Sequence, residues 1–331
     1  MKTELRSDKS YKASITLFFI LTILSLVGTA LVGEILLPVS AAFYALLLIF
    51  EKNKHILSVI CVAVGVALLL VPVAISPMWC IASVLCGVLL FLAYRFGNSK
   101  CDTAVILTLF NALAIVLSFI LIAFVKTADY SFDSAFKFYS QLHDRLRSDF
   151  IFAMTQAAAS ITVEGIEQIE LTPDYFAAVF DGVVNLLVSY IFIISFVLAG
   201  ITIKIFTSFA RRFADETCEI AKWKFAVPSI YAYLYIAVYL LSSFAYGDGL
   251  FDLSVLNLSG IFASIFTYIG LKAVLELFSK KNRKMLGVII IAIAFVLLGG
   301  MALDVISVFG VVYTIQQNKI LKNGQGTGSA F

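Results

Sequence analysis

Apolar residues in this chain come in long unbroken runs, not in the alternating or every-third-or-fourth patterns of half-buried soluble elements. Runs near 14–33, 35–50, 56–74, 77–95, 103–125, 179–205, 226–246, 258–278 and 285–303 have the length scale of a membrane crossing. A hydrocarbon core about 30 Å thick takes about 20 helical residues at about 1.5 Å each. The pattern predicts an all-α polytopic transmembrane bundle of about nine spans. The second run is short and carries Pro38, so it is tilted, buried by its neighbours or re-entrant. The last stays apolar to about Ile315, either as one projecting helix or with a break at Gly299 and Gly300, which leaves the side of the C-terminus open.

One polar stretch interrupts the runs and organises the chain. Residues 1–125 form an N-terminal bundle of about five spans, 126–178 a helical extracytoplasmic loop, 179–320 a C-terminal bundle of about four spans, and 321–331 a Gly-rich flexible tail. Within the loop Phe132, Phe136, Tyr139, Leu142, Leu146 and Phe150 recur at steps of three and four, opposite Asp133, Lys137, Gln141, Asp144 and Ser148. That spacing is an amphipathic helix, with Asp133–Lys137 and Arg145–Asp149 placed to pair for about 0.2–0.5 kcal/mol each. Phe132, Phe136 and Tyr139 are the candidates for binding a partner through this helix; the alternative is that it rests in the membrane interface. Thr172 before Pro173 and Asp174 reads as a cap with proline in the first turn, where a missing N–H costs nothing.

Composition agrees with the runs: 61% of the residues are hydrophobic and 14% charged, against roughly a quarter charged in soluble domains. The distribution of charge is more telling than the net +3. With the N-terminus inside, cytoplasmic segments hold Lys2, Arg6, Lys9 and Lys12; Lys52 and Lys54; Arg95 and Lys100; Lys204, Arg211, Arg212, Lys222 and Lys224; and Lys280, Lys281, Arg283 and Lys284. The outer segments hold only Lys126, Lys137, Arg145 and Arg147, as the retention of basic residues in the cytoplasm requires. The basic N-terminus followed by a run without a small-residue cleavage site reads as an uncleaved first span. Cys61, Cys80, Cys86, Cys101 and Cys218 fall in or beside the runs, which argues against a disulfide framework. Nothing in the charge pattern points to nucleic acid.

No constellation identifies a reaction. His55 and His143 lie on opposite sides in this topology, no His-Glu-x-x-His occurs, and there is no P-loop. Gly247-Asp248-Gly249 differs in order from the aspartyl intramembrane protease pattern and reads as a turn. Asn257-Leu258-Ser259-Gly260 lacks the first glycine of a rhomboid motif, and Asn257 opens a nominal glycosylation sequon. We therefore expect no catalytic set, no metal site and no cofactor. Polar residues within lipid are costly and tend to face a bundle interior. Asn111, Asn185 and Asp304 are accordingly the ligand- or pathway-lining candidates, with interhelical hydrogen bonding as the alternative for the two asparagines. Asp304 stands about 30 Å of helix beyond Lys284, where it would meet the outer interface. Lys272 and Glu276, four apart near a cytoplasmic end, form a candidate structural ion pair.

Trp223-Lys224-Phe225 before Pro228, Gly270-Leu271-Lys272 within the next run and Asp304 after the last long one, together with the multi-span N-terminal half and outer helical loop, carry a resemblance. The chain resembles the YybS-like family of uncharacterised bacterial membrane proteins. It departs from the family in ending Val305–Lys319 with Phe309 and Tyr313 but no arginine. That family is distantly similar to the substrate-capture subunits of energy-coupling-factor transporters, which rely on separate ATPase and coupling subunits. Those subunits have about six helices and a small-residue stripe on the first; Gly28 and Gly33, five apart, do not share a face. The resemblance implies a bacterial plasma-membrane protein of the transporter or substrate-binding kind, with the lipid bilayer and separate transporter subunits as partners. The alternative is a noncatalytic scaffold recruiting other membrane proteins through the outer helix or the basic loop 204–224.

Overall fold

A computed structural model describes residues 16–26, 29, 33–50, 76–160, 172–213, 227–245, 249–280, 284–299 and 301–326. The third predicted run, His55, Cys61, Cys218, Trp223–Phe225 and Gly247–Asp248 lie outside these residues. Every described element is helical. The chain divides into two compact units, the first comprising Met1–Val183 and Ile194–Phe225 and the second Val184–Ile193 and Ala226–Phe331.

The first unit contains α1 (Thr16–Leu26), a 3-10 turn (Gly33–Leu36), α2 (Leu37–Phe50), α3 (Ser76–Arg95), α4 (Lys100–Thr127), α5 (Phe132–Ser160), most of α6 (Pro173–Asn185) and the larger part of α7 (Leu187–Phe213). With 14 residues, α2 rises about 21 Å, short of the hydrocarbon thickness. Every residue from Leu37 to Leu48 except Val39 is buried, so neighbours shield this helix from lipid. Pro38 sits in its first turn, where proline is tolerated. Apolar burial gives little net attraction between helices in lipid, so close packing and hydrogen bonds must hold them. At Gly87 of α3 a Cβ would stand 2.8 Å from the Ala41 carbonyl oxygen of α2. Four residues earlier the Ser83 hydroxyl meets Ser40 and donates to Leu37 O at 3.2 Å. Tyr44 and Leu48 complete the contact against Val84, Val88 and Phe91.

The connection from α3 to α4 is set by Ser99. Its hydroxyl accepts from the Asp102 N–H at 3.1 Å and caps α4. At the other end Ala128 takes a left-handed φ of 54° and stops the helix. Ser131 then caps α5, accepting from Ser134 N–H at 3.2 Å. The Ser134 and Ser131 hydroxyls both donate to the Asp129 carboxylate, which holds that group below its ordinary range. α5 turns back on α4 through ring contacts of Phe124 with Phe132 (5.9 Å) and of Phe119 with Tyr139 (6.2 Å).

The second unit contains α8 (Ser229–Ser242), α9 (Leu250–Lys280), α10 (Lys284–Leu298) and α11 (Met301–Gly326). Gly299, at φ +53°, breaks the last apolar stretch, so α10 and α11 are separate helices. α11 runs parallel to α9: Thr267 meets Leu303, Gly270 meets Ile306, and Glu276 meets Tyr313. The C-terminal ends of α9 and α11 therefore point the same way. The two approach backbone to backbone, because a Cβ on Gly270 would overlap the Ile306 carbonyl and one on Gly310 the Phe266 carbonyl. α8 runs antiparallel to α11, with Tyr235 on Ser307 and Val227 on Asn318. By length and composition α3, α4, α7 and α9 can cross a membrane, over Met78–Arg95, Lys100–Thr127, Leu187–Arg211 and Leu250–Ser279.

Candidate functional site

The sixth apolar run reads in sequence as one span over 179–205, yet the helix is interrupted inside it. α6 ends at Asn185, Leu186 forms a turn, and α7 begins at Leu187. Such a break leaves carbonyls at the end of one helix and N–H groups at the start of the next without intrahelical partners. A single side chain from α9 serves both ends. Asn257 Oδ1 accepts from the Ser189 N–H at 2.9 Å, and Asn257 Nδ2 donates to the Asn185 carbonyl at 2.7 Å and to Leu253 O at 2.8 Å. The Ser189 hydroxyl faces Asn257 Oδ1 at 2.9 Å and its backbone oxygen at 2.8 Å. The amide thus uses both donors and its acceptor oxygen within the protein. One turn on, a Cβ at Gly260 would stand 3.0 Å from Ser189 Oγ, so the small residue lets α7 approach.

Asn257 lies eight residues before the midpoint of α9 (Leu250–Lys280), within the candidate span Leu250–Ser279. Ser189 and Asn257 are both buried. This disposes of the sequon reading, because a glycosylated asparagine presents its amide to solvent. Of the sequence candidates, Asn185 reaches the site through its backbone carbonyl. The pairing of Ser189 with Asn257 has no local signature in the sequence, because 68 residues separate them. The available signal was the polar pair Asn185 and Ser189, four apart in an otherwise apolar stretch.

Two further polar contacts follow along α9. Near its middle the Tyr235 hydroxyl meets Ser307 Oγ at 3.0 Å, while its ring stacks on Phe266 at 5.1 Å. Toward the far end Lys272 Nζ stands 3.6 Å from Glu276 Oε1, and Tyr313 donates to Glu276 Oε2 at 2.6 Å. Gln317 Nε2 in turn donates to the Tyr313 hydroxyl at 3.2 Å. Both charged residues are half-exposed, as long side chains near a span end are when they reach for water. Asp304 is exposed in the first turn of α11, where a carboxylate suits the helix dipole. Asn111 belongs to the first unit: its Nδ2 donates to Ser195 O at 3.5 Å, and its buried Oδ1 accepts no hydrogen bond from the described residues. Within the second unit Asn185 and Asp304 thus have different neighbours. Among the described residues no group of His, Cys, Asp and Glu is placed to hold a metal.

On α5 Phe132 and Phe136 are exposed, and Tyr139 donates to the Phe119 carbonyl at 2.5 Å. Thr172 accepts from the Tyr175 N–H at 3.3 Å at the start of α6. Arg145 and Asp149 stand 3.9 Å apart. The stronger contact, invisible to local spacing, joins α5 to α6: Arg147 Nε and Nη2 donate to the two Asp181 oxygens at 2.9 Å each. These bonds hold the Asp181 carboxyl below its ordinary 3.8 and raise Arg147. A carboxylate so depressed contributes stability above pH 3.8 and loses it as pH falls through the lower folded value. Melting in detergent between neutral pH and pH 3 tests this. The unaltered chain should lose more of its melting temperature below pH 4 than Asp181→Asn does; equal losses would show that ionisation of Asp181 adds nothing to the clasp.

Searches of curated proteins and of solved structures give no match. A family model does: the one described as predicted membrane protein (DUF2232) matches residues 14–312, nearly the whole chain, and the protein belongs to that family.

Proposed function

We propose that the protein is a transport-type membrane subunit, without an ATPase of its own, that binds a small molecule beside the α6–α7 break. The observation that carries this reading is the break itself, held by a buried Asn257–Ser189 pair inside an apolar segment. Non-helical backbone at membrane depth persists where it lines a cavity or is buried in protein, and discontinuous helices with freed polar groups are how many transporters build substrate sites. The finer features belong to the same proposal. These are about nine spans, a cytoplasmic N-terminus, an extracytoplasmic loop, a bacterial inner membrane, the YybS-like kinship and the distant likeness to substrate-capture subunits. In that orientation the parallel course of α9 and α11 brings Lys319 to the side of the basic segment at Lys280–Lys284, which suits the positive-inside tendency.

A second reading, a scaffold that recruits membrane proteins through α5, draws on the exposure of Phe132 and Phe136. Purification from native membranes in gentle detergent, with mass spectrometry of co-purifying proteins and small molecules, separates the two. Recovery of ATPase and coupling subunits, or of one metabolite lost from a Ser189→Ala variant, supports the transport reading. Recovery of non-transport partners alone, with no retained small molecule, overturns it in favour of the scaffold.

A further inference from the structure

Outside the candidate spans, α5 and α6 each carry an apolar stripe that the described residues leave uncovered. On α5 Ala135 is buried and Tyr139 donates to Phe119 of α4, while Phe132 and Phe136 remain 74% and 77% exposed and Leu146 50%. On α6 the inward ring Phe176 is buried and Phe180 contacts Phe150, while Tyr175, Val179 and Val183 at steps of four stay exposed. The opposite half of α5 is a different surface: Asp133, Lys137, Gln141 and Asp144 are all open to solvent. In water, two such stripes would cost roughly 25 cal/mol per Å² of uncovered apolar area.

We infer that α5 and α6 lie in the membrane interface and seat these stripes among the upper acyl chains of the adjoining leaflet. The tethers require proximity to lipid. Phe132 follows Thr127, the end of candidate span α4, by five residues, and Val183 precedes Leu187, the start of candidate span α7, by four. Five extended residues reach at most about 18 Å, and four on a nearly helical path about 6 Å. The apolar stripe of α5 also continues a lipid-facing surface, since Phe124 of α4 packs on Phe132 while neighbouring Leu121 and Val125 are exposed. Tyr130 and Tyr175, both exposed, have the amphipathic ring that favours headgroup depth. The bidentate Arg147–Asp181 contact locks α5 to α6, so the two helices act as one surface element. A lipid occupant needs no further component, whereas a protein occupant would have to compete with a bilayer already in reach.

The test uses the full, unaltered chain in vesicles of phosphatidylcholine and phosphatidylglycerol doped with a lipid bearing a diazirine high on one acyl chain. Photolysis and peptide mapping should place label on Phe132, Phe136 or Leu146 and on Tyr175, Val179 or Val183, and not on Asp133, Lys137 or Gln141. Label on exposed α4 residues such as Leu113 with none on α5 or α6 would overturn the inference. So would labelling that appears only after a co-purifying protein is stripped away, which would assign the stripe to a protein partner. A second measurement replaces Trp79 and Trp223 with phenylalanine and compares Phe136→Trp with Gln141→Trp in lipids brominated near the headgroup. Phe136→Trp should be quenched several-fold more strongly; equal quenching contradicts the interfacial seat.

Discussion

Gly310→Ala is expected to separate α9 from α11 and, with Gly270→Ala, to be among the most destabilising conservative changes in the second unit. The added Cβ would overlap the Phe266 carbonyl and stand 2.9 Å from the Gly270 nitrogen. Both obstacles are backbone of the facing helix, so no rotamer change relieves them. Overpacking of this kind costs about 1–3 kcal/mol where side chains can move, and a backbone collision should reach or exceed the upper figure. The separation would also draw Tyr313 from Glu276 and Ser307 from Tyr235, which are held at 2.6 and 3.0 Å. Gly200→Ala is the control, because a Cβ there meets nothing within 4 Å. Alanine's better helix propensity, up to about 1 kcal/mol, should leave that variant neutral or slightly more stable. Thermal unfolding of both in the same mild detergent decides the matter, and indistinguishable midpoints would mean the helices do not cross this closely.

Asn257→Ala should be the second large effect, and for a different reason. Its main effect is polar: it strands the Ser189 N–H and the Asn185 carbonyl at a helix break. Each orphaned buried group costs about 1–3 kcal/mol in proteins generally, and interhelical hydrogen bonds in membranes tend to the lower part of that range. The variant should therefore lose about 2 kcal/mol or more. Ser189→Ala keeps the backbone bond to Oδ1 and removes only the hydroxyl, so it should lose no more than about 1 kcal/mol. The order is measurable by thermal unfolding, and a Ser189→Ala loss equal to that of Asn257→Ala would show that the amide does not bridge the break. The same pair separates stability from function: a Ser189→Ala protein that is well folded yet no longer retains its small molecule would place the binding contact at the break.

Local patterns were readable where the relevant period lies within one helix. The stripe Phe132–Phe136–Tyr139 announced α5, Thr172-Pro173 announced the start of α6, and the runs at 103–125 and 258–278 correspond to α4 and α9. Breaks inside apolar sequence were harder. Gly299 and Gly300 were visible as a possible interruption because glycine admits a positive φ, which Gly299 adopts. The break at Leu186 left no such mark, since Asn185-Leu186-Leu187 can continue a helix and is stopped by what Asn257 offers from another element. Pro38 left three readings open, and the choice among them depended on whether neighbours cover α2, which no local period encodes.

The sequence by itself determined that the chain is helical, that most of it is too apolar for water, and where its amphipathic loop helix lies. These follow from side-chain transfer energies and backbone satisfaction in lipid, which act residue by residue. Tertiary structure alone decided that α11 returns parallel to α9, that Gly270 and Gly310 face each other's backbones, that Arg147 clasps Asp181, and that Asn257 closes the α6–α7 break. In each case the deciding partner is tens of residues away, and its energy exists only once two helices stand side by side. Between apolar helices in lipid, close packing and the rare interhelical hydrogen bond select one neighbour from many equally hydrophobic alternatives.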